Sequence, residues 1–247
     1  MNKLGLLGRN ISYSFSRSYF KKKFEDEQIH NTTYENFDIP SIDDLPKILI
    51  NTKGLKGFNV TIPYKQEVIP YLDKLNKKAK AIGAVNTIRV TKKGKLIGYN
   101  TDCYGFKKSL KPHLKKHHKS ALILGTGGAS KAVAYSLDKL GISYKYVSRS
   151  ASKGVEYTYK DLTESIIKDN KVIVNCTPLG TFPNIENRPD IPYNGITSKH
   201  ILFDLIYNPE ETTFLKLGKK HQAKTINGLN MLIFQAEKAW SIWKIPI

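Results

Sequence analysis

Short apolar stretches alternate with amphipathic ones along the whole chain. That alternation predicts an α/β protein built on parallel strands. In the first hundred residues the pattern predicts strands over 4–8, 33–37 and 57–61. Two more fall at 85–90 and 95–99, joined through Lys92-Lys93-Gly94, which reads as a hairpin turn. The stretch 111–119 is polar and holds Pro112; it reads as a helix end and a linker. A second series follows, with strands at 121–124, 144–147, 172–175 and 201–205. A helix is expected over 129–140, stopping before Gly141, and an amphipathic one over 229–243.

The 247 residues allow one or two domains at roughly 150 residues each, and the two α/β series favour two. Hydrophobic residues at 40% and charged ones at 25% describe an ordinary folded chain and exclude a disordered one. Cys103 and Cys176 lack the paired spacing of a zinc site or a disulfide framework, so no metal is expected. His117-His118 reads as a solvated basic turn, since no carboxylate or cysteine lies nearby in sequence. No apolar run approaches the ~18 residues of a membrane helix, and the first residues are too weakly apolar for a signal peptide. A cytoplasmic protein, without a membrane partner, is the expectation.

The net charge of +19 raises nucleic-acid binding as a rival function. Only five of the 40 cations are Arg, however, and the lysines are scattered. Readers of bases and phosphates favour the Arg fork, so the balance is read instead as favouring small anionic ligands.

The strongest local signal is Gly125-Thr126-Gly127-Gly128-Ala129-Ser130 between a buried strand and a helix. Strand, glycine turn, helix is the setting of a dinucleotide fingerprint. Gly125 permits the tight turn, Gly127 lets a pyrophosphate approach the backbone, and the helix N-terminus attracts it. The third glycine position holds Ser130. The next strand ends in Ser148-Arg149-Ser150, with Lys153 beyond, and carries no acid for a ribose hydroxyl. A cation and hydroxyls there suit a 2′-phosphate, hence NADP rather than NAD.

The first half carries further polar clusters. Ser14 and Ser16 precede a predicted helix, as N-caps or as hydroxyls for an anion. Asn59-Val60-Thr61-Ile62-Pro63-Tyr64-Lys65 is expected to end a strand and to place Lys65 at a helix mouth, where the dipole disfavours a cation. Ala84-Val85-Asn86-Thr87 and Asn100-Thr101-Asp102 lie at strand ends.

Together with Asn175-Cys176-Thr177-Pro178, Asp204-Leu205-Ile206-Tyr207-Asn208-Pro209 and the run from Gly228 to Ala236, these clusters resemble the shikimate dehydrogenase family, in order and over nearly the whole chain. The resemblance implies NADPH-dependent reduction of 3-dehydroshikimate to shikimate, in the pathway to aromatic amino acids. It implies a substrate domain of residues 1–103 and 228–247, a Rossmann-type NADP domain of residues 104–227, and a site in the cleft between them. By position, Ser14, Ser16 and Tyr207 would hold the substrate carboxylate. Thr61, Asn86 and Gln235 would bond ring hydroxyls, and Lys65 and Asp102 would be the catalytic pair. Gly125, Thr126, Gly127, Gly128 and Ala129 would meet the pyrophosphate. Ser148, Arg149, Ser150 and Lys153 would meet the 2′-phosphate, with Thr177, Gly228 and Met231 near the nicotinamide.

The chain departs from the family pattern at three points. Tyr13 stands where His is usual, Gly8-Arg9-Asn10 replaces Gly-x-Pro and puts that loop's rigidity in question, and Ser148 stands where Asn is common. A quinate/shikimate dehydrogenase with NAD or dual cofactor use is the nearest alternative; Arg149 and Lys153 speak against NAD, and Ser14 with Ser16 leans toward shikimate. A monomer or homodimer acting on a small molecule is expected.

Overall fold

A computed structural model describes residues 1–12 and 14–243, so Tyr13 lies outside the described residues. The chain divides into two compact units, residues 1–101 with 236–247, and residues 102–235.

In the first unit the elements run β1 (Asn2–Gly8), α1 (Phe15–Asp26), β2 (Thr32–Asp38), α2 (Leu45–Asn51), β3 (Leu55–Val60), β4 (Lys74–Leu75), α3 (Lys77–Ile82), β5 (Thr87–Val90) and β6 (Leu96–Tyr99). They form one sheet in the order β2-β1-β3-β5-β6-β4. β1 pairs parallel with β2 and β3, whereas β5 runs antiparallel to β3 and β6. The expected hairpin is present, and Gly94 supplies a φ of +74° that other residues disfavour. One face of this sheet buries Leu7, Phe58, Val60, Tyr64, Val85 and Ile88. The other buries Leu4, Leu6, Phe20, Phe24 and Tyr34 together with Ala236, Ala239 and Trp243. The Trp243 indole N–H donates to Ile88 O at 3.0 Å. Gly57 makes room for it, because a Cβ there would sit 2.3 Å from Trp243 Nε1.

The second unit begins with α4 (Asp102–Leu110) and continues through β7 (Ser120–Leu124), α5 (Gly128–Asp138), β8 (Ser143–Ser148), β9 (Tyr157–Thr158), α6 (Glu164–Asp169), β10 (Val172–Asn175), β11 (Ile201–Asp204), α7 (Thr213–Lys220) and β12 (Lys224–Ile226). The boundary at 235 falls within α8 (Leu229–Trp243). All six strands are parallel, in the order β12-β11-β10-β7-β8-β9. This is the doubly wound arrangement, with its switch point between β7 and β10. Both faces are covered, so β7, β10 and β11 read as continuous apolar runs.

The expectation of a solvated turn at His117-His118 needs correction for His118, which is 5% exposed. Its Nδ1 accepts the Lys115 N–H at 2.8 Å, which leaves Nε2 to donate to Lys199 O at 3.2 Å. His118 therefore satisfies backbone groups that apolar packing could not. Among the described residues no helix is long and apolar enough to cross a membrane.

Candidate active site

In the first unit the polar clusters singled out in the sequence form one hydrogen-bonded chain. Ser16, 8% exposed on the first turn of α1, sits beside the phenol of Tyr34. Tyr34 donates its own proton to Asn59 Oδ1 at 2.8 Å. Asn59 Nδ2 donates to Asn86 O and Thr87 Oγ1 at 3.3 and 3.2 Å. The Thr87 hydroxyl and the Thr101 N–H both reach Asn86 Oδ1, at 3.2 and 2.6 Å. Every member is buried, which makes each missing bond expensive and fixes the ends of β3, β5 and β6 together. Tyr34 was not legible as a site residue, because its partners lie far away in sequence.

Ser14 occupies the N-cap position of α1, with φ −66° and ψ 128°, yet its side chain makes no capping bond. Capping therefore does not account for it. The loop before it is held despite lacking the proline. Asn10 takes a left-handed φ of 57°, and the N–H groups of Asn10 and Ile11 donate to the two oxygens of Asp38 at 2.8 and 3.0 Å. Asn36 closes the other side by donating to Ile11 O at 2.8 Å. The rigidity that Gly8-Arg9-Asn10 put in question comes from a carboxylate instead of a ring.

Lys65 does not sit at a helix mouth. Residues 62–68 form turns that lead into a 3₁₀ turn, Ile69–Tyr71. The Lys65 carbonyl accepts the Val85 N–H at 2.7 Å, and Ile69 N–H turns to Gln66 O, so no i→i+4 ladder starts from Lys65. The dipole argument therefore lapses. The turn is nonetheless well anchored, since buried Tyr64 donates to Ile39 O at 2.7 Å. Thr61, half-buried, has its N–H on Leu7 O at 2.9 Å, and its methyl packs where a Cβ on Gly8 would lie.

Asp102, which follows Thr101, is 5% exposed and opens α4. A carboxylate is favoured at that helix position, so its placement has a structural as well as a functional explanation. Gln235, also 5% exposed, and half-buried Tyr207 belong to the second unit.

The glycine turn lies at the C-terminal end of β7, beside the switch point. Gly125 adopts φ +100°, and its N–H donates to Val147 O at 2.8 Å. Gly127 caps α5 with an ordinary φ of −71°, and a Cβ built on it would meet nothing within 4 Å. Backbone strain thus does not require glycine there, whereas an approaching ligand would. No side chain caps α5, which leaves the N–H groups of its first residues without a side-chain acceptor. Thr126 is exposed and Gly128 and Ala129 are half-buried along this rim. Ser130, standing at the third glycine position, is fully buried and donates to Gly127 O at 2.6 Å, which tightens the turn. These features fit a dinucleotide pyrophosphate.

Ser148 ends β8, and Arg149, Ser150 and Lys153 follow it, exposed. Glu156, an acid farther along, is turned to the Tyr146 N–H at 2.8 Å. Beyond β10, Thr177 gives its N–H and hydroxyl to Asn175 Oδ1 at 3.0 and 2.6 Å. Gly228 is required by space, since a Cβ would fall 2.1 Å from Leu205 O. Met231 is buried at 5% exposure.

Residues 6–88 match the family model of the shikimate dehydrogenase substrate-binding domain. The chain is 39% identical to the NADP(+) shikimate dehydrogenase of Methanococcus vannielii, over 97% of this chain and 90% of the relative. It superposes with a TM-score of 0.86 on a shikimate dehydrogenase crystallised with NADP+, at 36% identity, covering 99% of this chain and 90% of the other. The shikimate 5-dehydrogenase of Thermus thermophilus, crystallised with NADP(H) and shikimate, gives a TM-score of 0.87 at 28% identity, covering 99% and 94%. The chain belongs to the shikimate dehydrogenase family.

Proposed function

We propose that the chain reduces 3-dehydroshikimate to shikimate with NADPH, as a cytoplasmic enzyme of aromatic amino-acid biosynthesis. The observation that carries this reading is the glycine turn. It leaves open space at Gly127, stands before an uncapped helix, and is joined by Arg149 with no acid at the end of the neighbouring strand. Residues 104–227 are read as the cofactor domain and residues 1–103 with 228–247 as the substrate domain; the compact units divide instead after Thr101 and after Gln235.

When bound, the nicotinamide supplies the hydride, and the protein supplies position, charge and the proton. Lys65, as an ammonium, would hydrogen-bond the ketone oxygen, stabilise the negative charge that develops there and donate its proton. Asp102 would favour the charged lysine and orient a substrate hydroxyl. An ionised Asp has no proton to give, so the acid role falls to Lys65. Ser14, Ser16 and Tyr207 would hold the carboxylate, and Thr61, Asn86 and Gln235 the ring hydroxyls. The pyrophosphate would lie on residues Gly125 to Ala129 and the 2′-phosphate on Ser148, Arg149, Ser150 and Lys153. Thr177, Gly228 and Met231 would border the nicotinamide.

The test is NADP+ reduction on adding shikimate, run beside quinate and beside NAD+. Turnover with shikimate and NADP+ is expected to exceed the other combinations. Faster turnover of quinate with NAD+ would replace this reading by the related quinate dehydrogenase activity. Retention on nucleic acid that collapses with salt, without any turnover, would point to nucleic-acid binding instead.

A further inference from the structure

Asp204 is a carboxylate with no exposed surface, at the end of β11. Burial without a counter-cation pushes its pKa up to about 6. Such a site is costly, and a well-packed neutral side chain would relieve it. Three donors converge on it. Asn175 Nδ2 and the Ile206 N–H reach Oδ1 at 3.0 Å each, and the Thr212 hydroxyl reaches Oδ2 at 2.6 Å.

Asn175, equally buried, is Asp204's register partner on β10. A side-chain amide can present either its oxygen or its nitrogen to a neighbour. An ionised carboxylate only accepts, so Asp204 takes the nitrogen at the shorter distance, with Leu179 O beyond it at 3.4 Å, and Asn175 Oδ1 is left turned the other way. That oxygen receives both the N–H and the hydroxyl of Thr177. The Thr177 oxygen then accepts the Leu179 N–H at 3.3 Å. On its far side the Thr177 methyl stands 3.2 Å from where a Cβ on Gly125 would lie. A continuous line of contacts thus runs from Asp204 to the glycine turn.

We infer that Asp204 is a positioning residue for the dinucleotide: by fixing the orientation of the Asn175 amide it holds Thr177 against the glycine turn and builds the wall met by the nicotinamide end. This rests on the reading of the turn as the NADP site. It assigns to Asp204 and Asn175 a role that neither could fill by touching the cofactor.

The test uses the full chain and the variants Asn175→Leu, Asn175→Asp and Asp204→Asn. Three quantities are read: the Kd for NADP+, amide hydrogen exchange at residues 177 and 179 without ligand, and the thermal midpoint. Asn175→Leu is expected to weaken NADP+ binding roughly tenfold and to speed exchange at both amides, since two bonds to Thr177 are lost. Asn175→Asp sets two carboxylates face to face, and a shared proton would restore the original contact. Its NADP+ affinity is expected to recover as pH falls from 8 to 5.5, a trend the unaltered chain should lack. Asp204→Asn keeps the shape and removes the charge that orders the amide, leaving only Leu179 O on Asn175 Nδ2, so a smaller loss of affinity is expected at an almost unchanged exchange pattern elsewhere. Folded variants that bind NADP+ within twofold of the unaltered chain, with unchanged exchange at residue 177, would overturn the inference. Should a variant melt below the assay temperature, exchange and binding in Asp204→Asn decide the matter. Failure of the underlying reading is distinct, for then the unaltered chain itself binds no NADP+ while the exchange differences persist.

Discussion

The backbone N–H of Thr101 donates to Asn86 Oδ1 at 2.6 Å, and Asn86 Nδ2 donates back to Thr101 Oγ1 at 3.0 Å. The side chain proposed to bond a substrate hydroxyl therefore also holds the residue just before Asp102. Asn86→Ala should accordingly lower kcat as well as raise KM for shikimate. It should also cost about 1–3 kcal/mol of stability, because a buried N–H is left without its acceptor. Ser14→Ala should raise KM alone, as its hydroxyl makes no capping bond to α1 and would bind a carboxylate away from the reacting carbon. Steady-state kinetics with unfolding curves separate the two patterns, and unchanged KM in Ser14→Ala would remove it from the site.

Lys65→Met should lower kcat by roughly 10²–10⁴ while shikimate Kd changes little. The turn that carries Lys65 is fixed by backbone bonds and by Tyr64, so the variant should unfold at a near-native temperature. A folded variant with near-normal kcat would make Lys65 a binding residue only. A collapse of stability would show a structural lysine and leave the chemistry to Asp102.

Arg149→Ala should erode the preference for NADP+ over NAD+ by more than tenfold in kcat/KM. Charge-assisted bonds to a phosphate are worth roughly 1.5–3 kcal/mol each. The exposed loop 149–154 contributes little to packing, so thermal stability should stay level. An unchanged cofactor ratio would place the 2′-phosphate elsewhere.

Two glycines should respond in opposite ways. Gly127→Ala has an ordinary φ and open space, so the variant should melt like the parent yet bind NADP+ far more weakly. Gly228→Ala drives a methyl to 2.1 Å from Leu205 O and should destabilise the second unit itself. Melting curves paired with NADP+ titrations read both, and tight NADP+ binding by Gly127→Ala would move the pyrophosphate off the turn.

Acid should act on the fold with two signs. Asp204 has a folded pKa raised to about 6, above the unfolded carboxylate range. Between about pH 4 and 6 the folded chain holds a proton that the unfolded chain has released, so stability from this group falls as pH rises. Buried His118 and His200 have folded pKa values lowered by desolvation, so their contribution is lost as pH falls below about 6.5. Comparing the unaltered chain with Asp204→Asn cancels the histidines. The difference should favour the unaltered chain at pH 4.5 over pH 7 by about 2 kcal/mol. A pH-independent difference would mean that Asp204 titrates normally.

The strands with buried faces were legible because periodicity and β-branched runs mark them. β7, β10 and β11 fall within a residue of expectation, and α8 has its expected bounds. The two-residue strands β4 and β9 and the short β12 hold too few positions to show a period. The helix expected after Lys65 failed because its carbonyl is captured by Val85, a partner far along the chain. The same holds for Asp38, which stiffens the loop at Asn10, and for Tyr34, which holds Asn59. Motifs mark which residues gather; which long-range bonds hold them is decided by the fold.

The first unit is sewn from two separated stretches, and this bears on how the molecule is made. Phe20, Phe24 and Tyr34 lie under Ala239 and Trp243, which a ribosome adds only after the entire second sheet has been translated. A nascent chain that has emerged only as far as β12 carries a complete doubly wound sheet and an aromatic face still open to water. Domains ordinarily mature in the order of synthesis. Here the half that is begun first is finished last, and a chaperone would find its binding surface on Phe20, Phe24 and Tyr34.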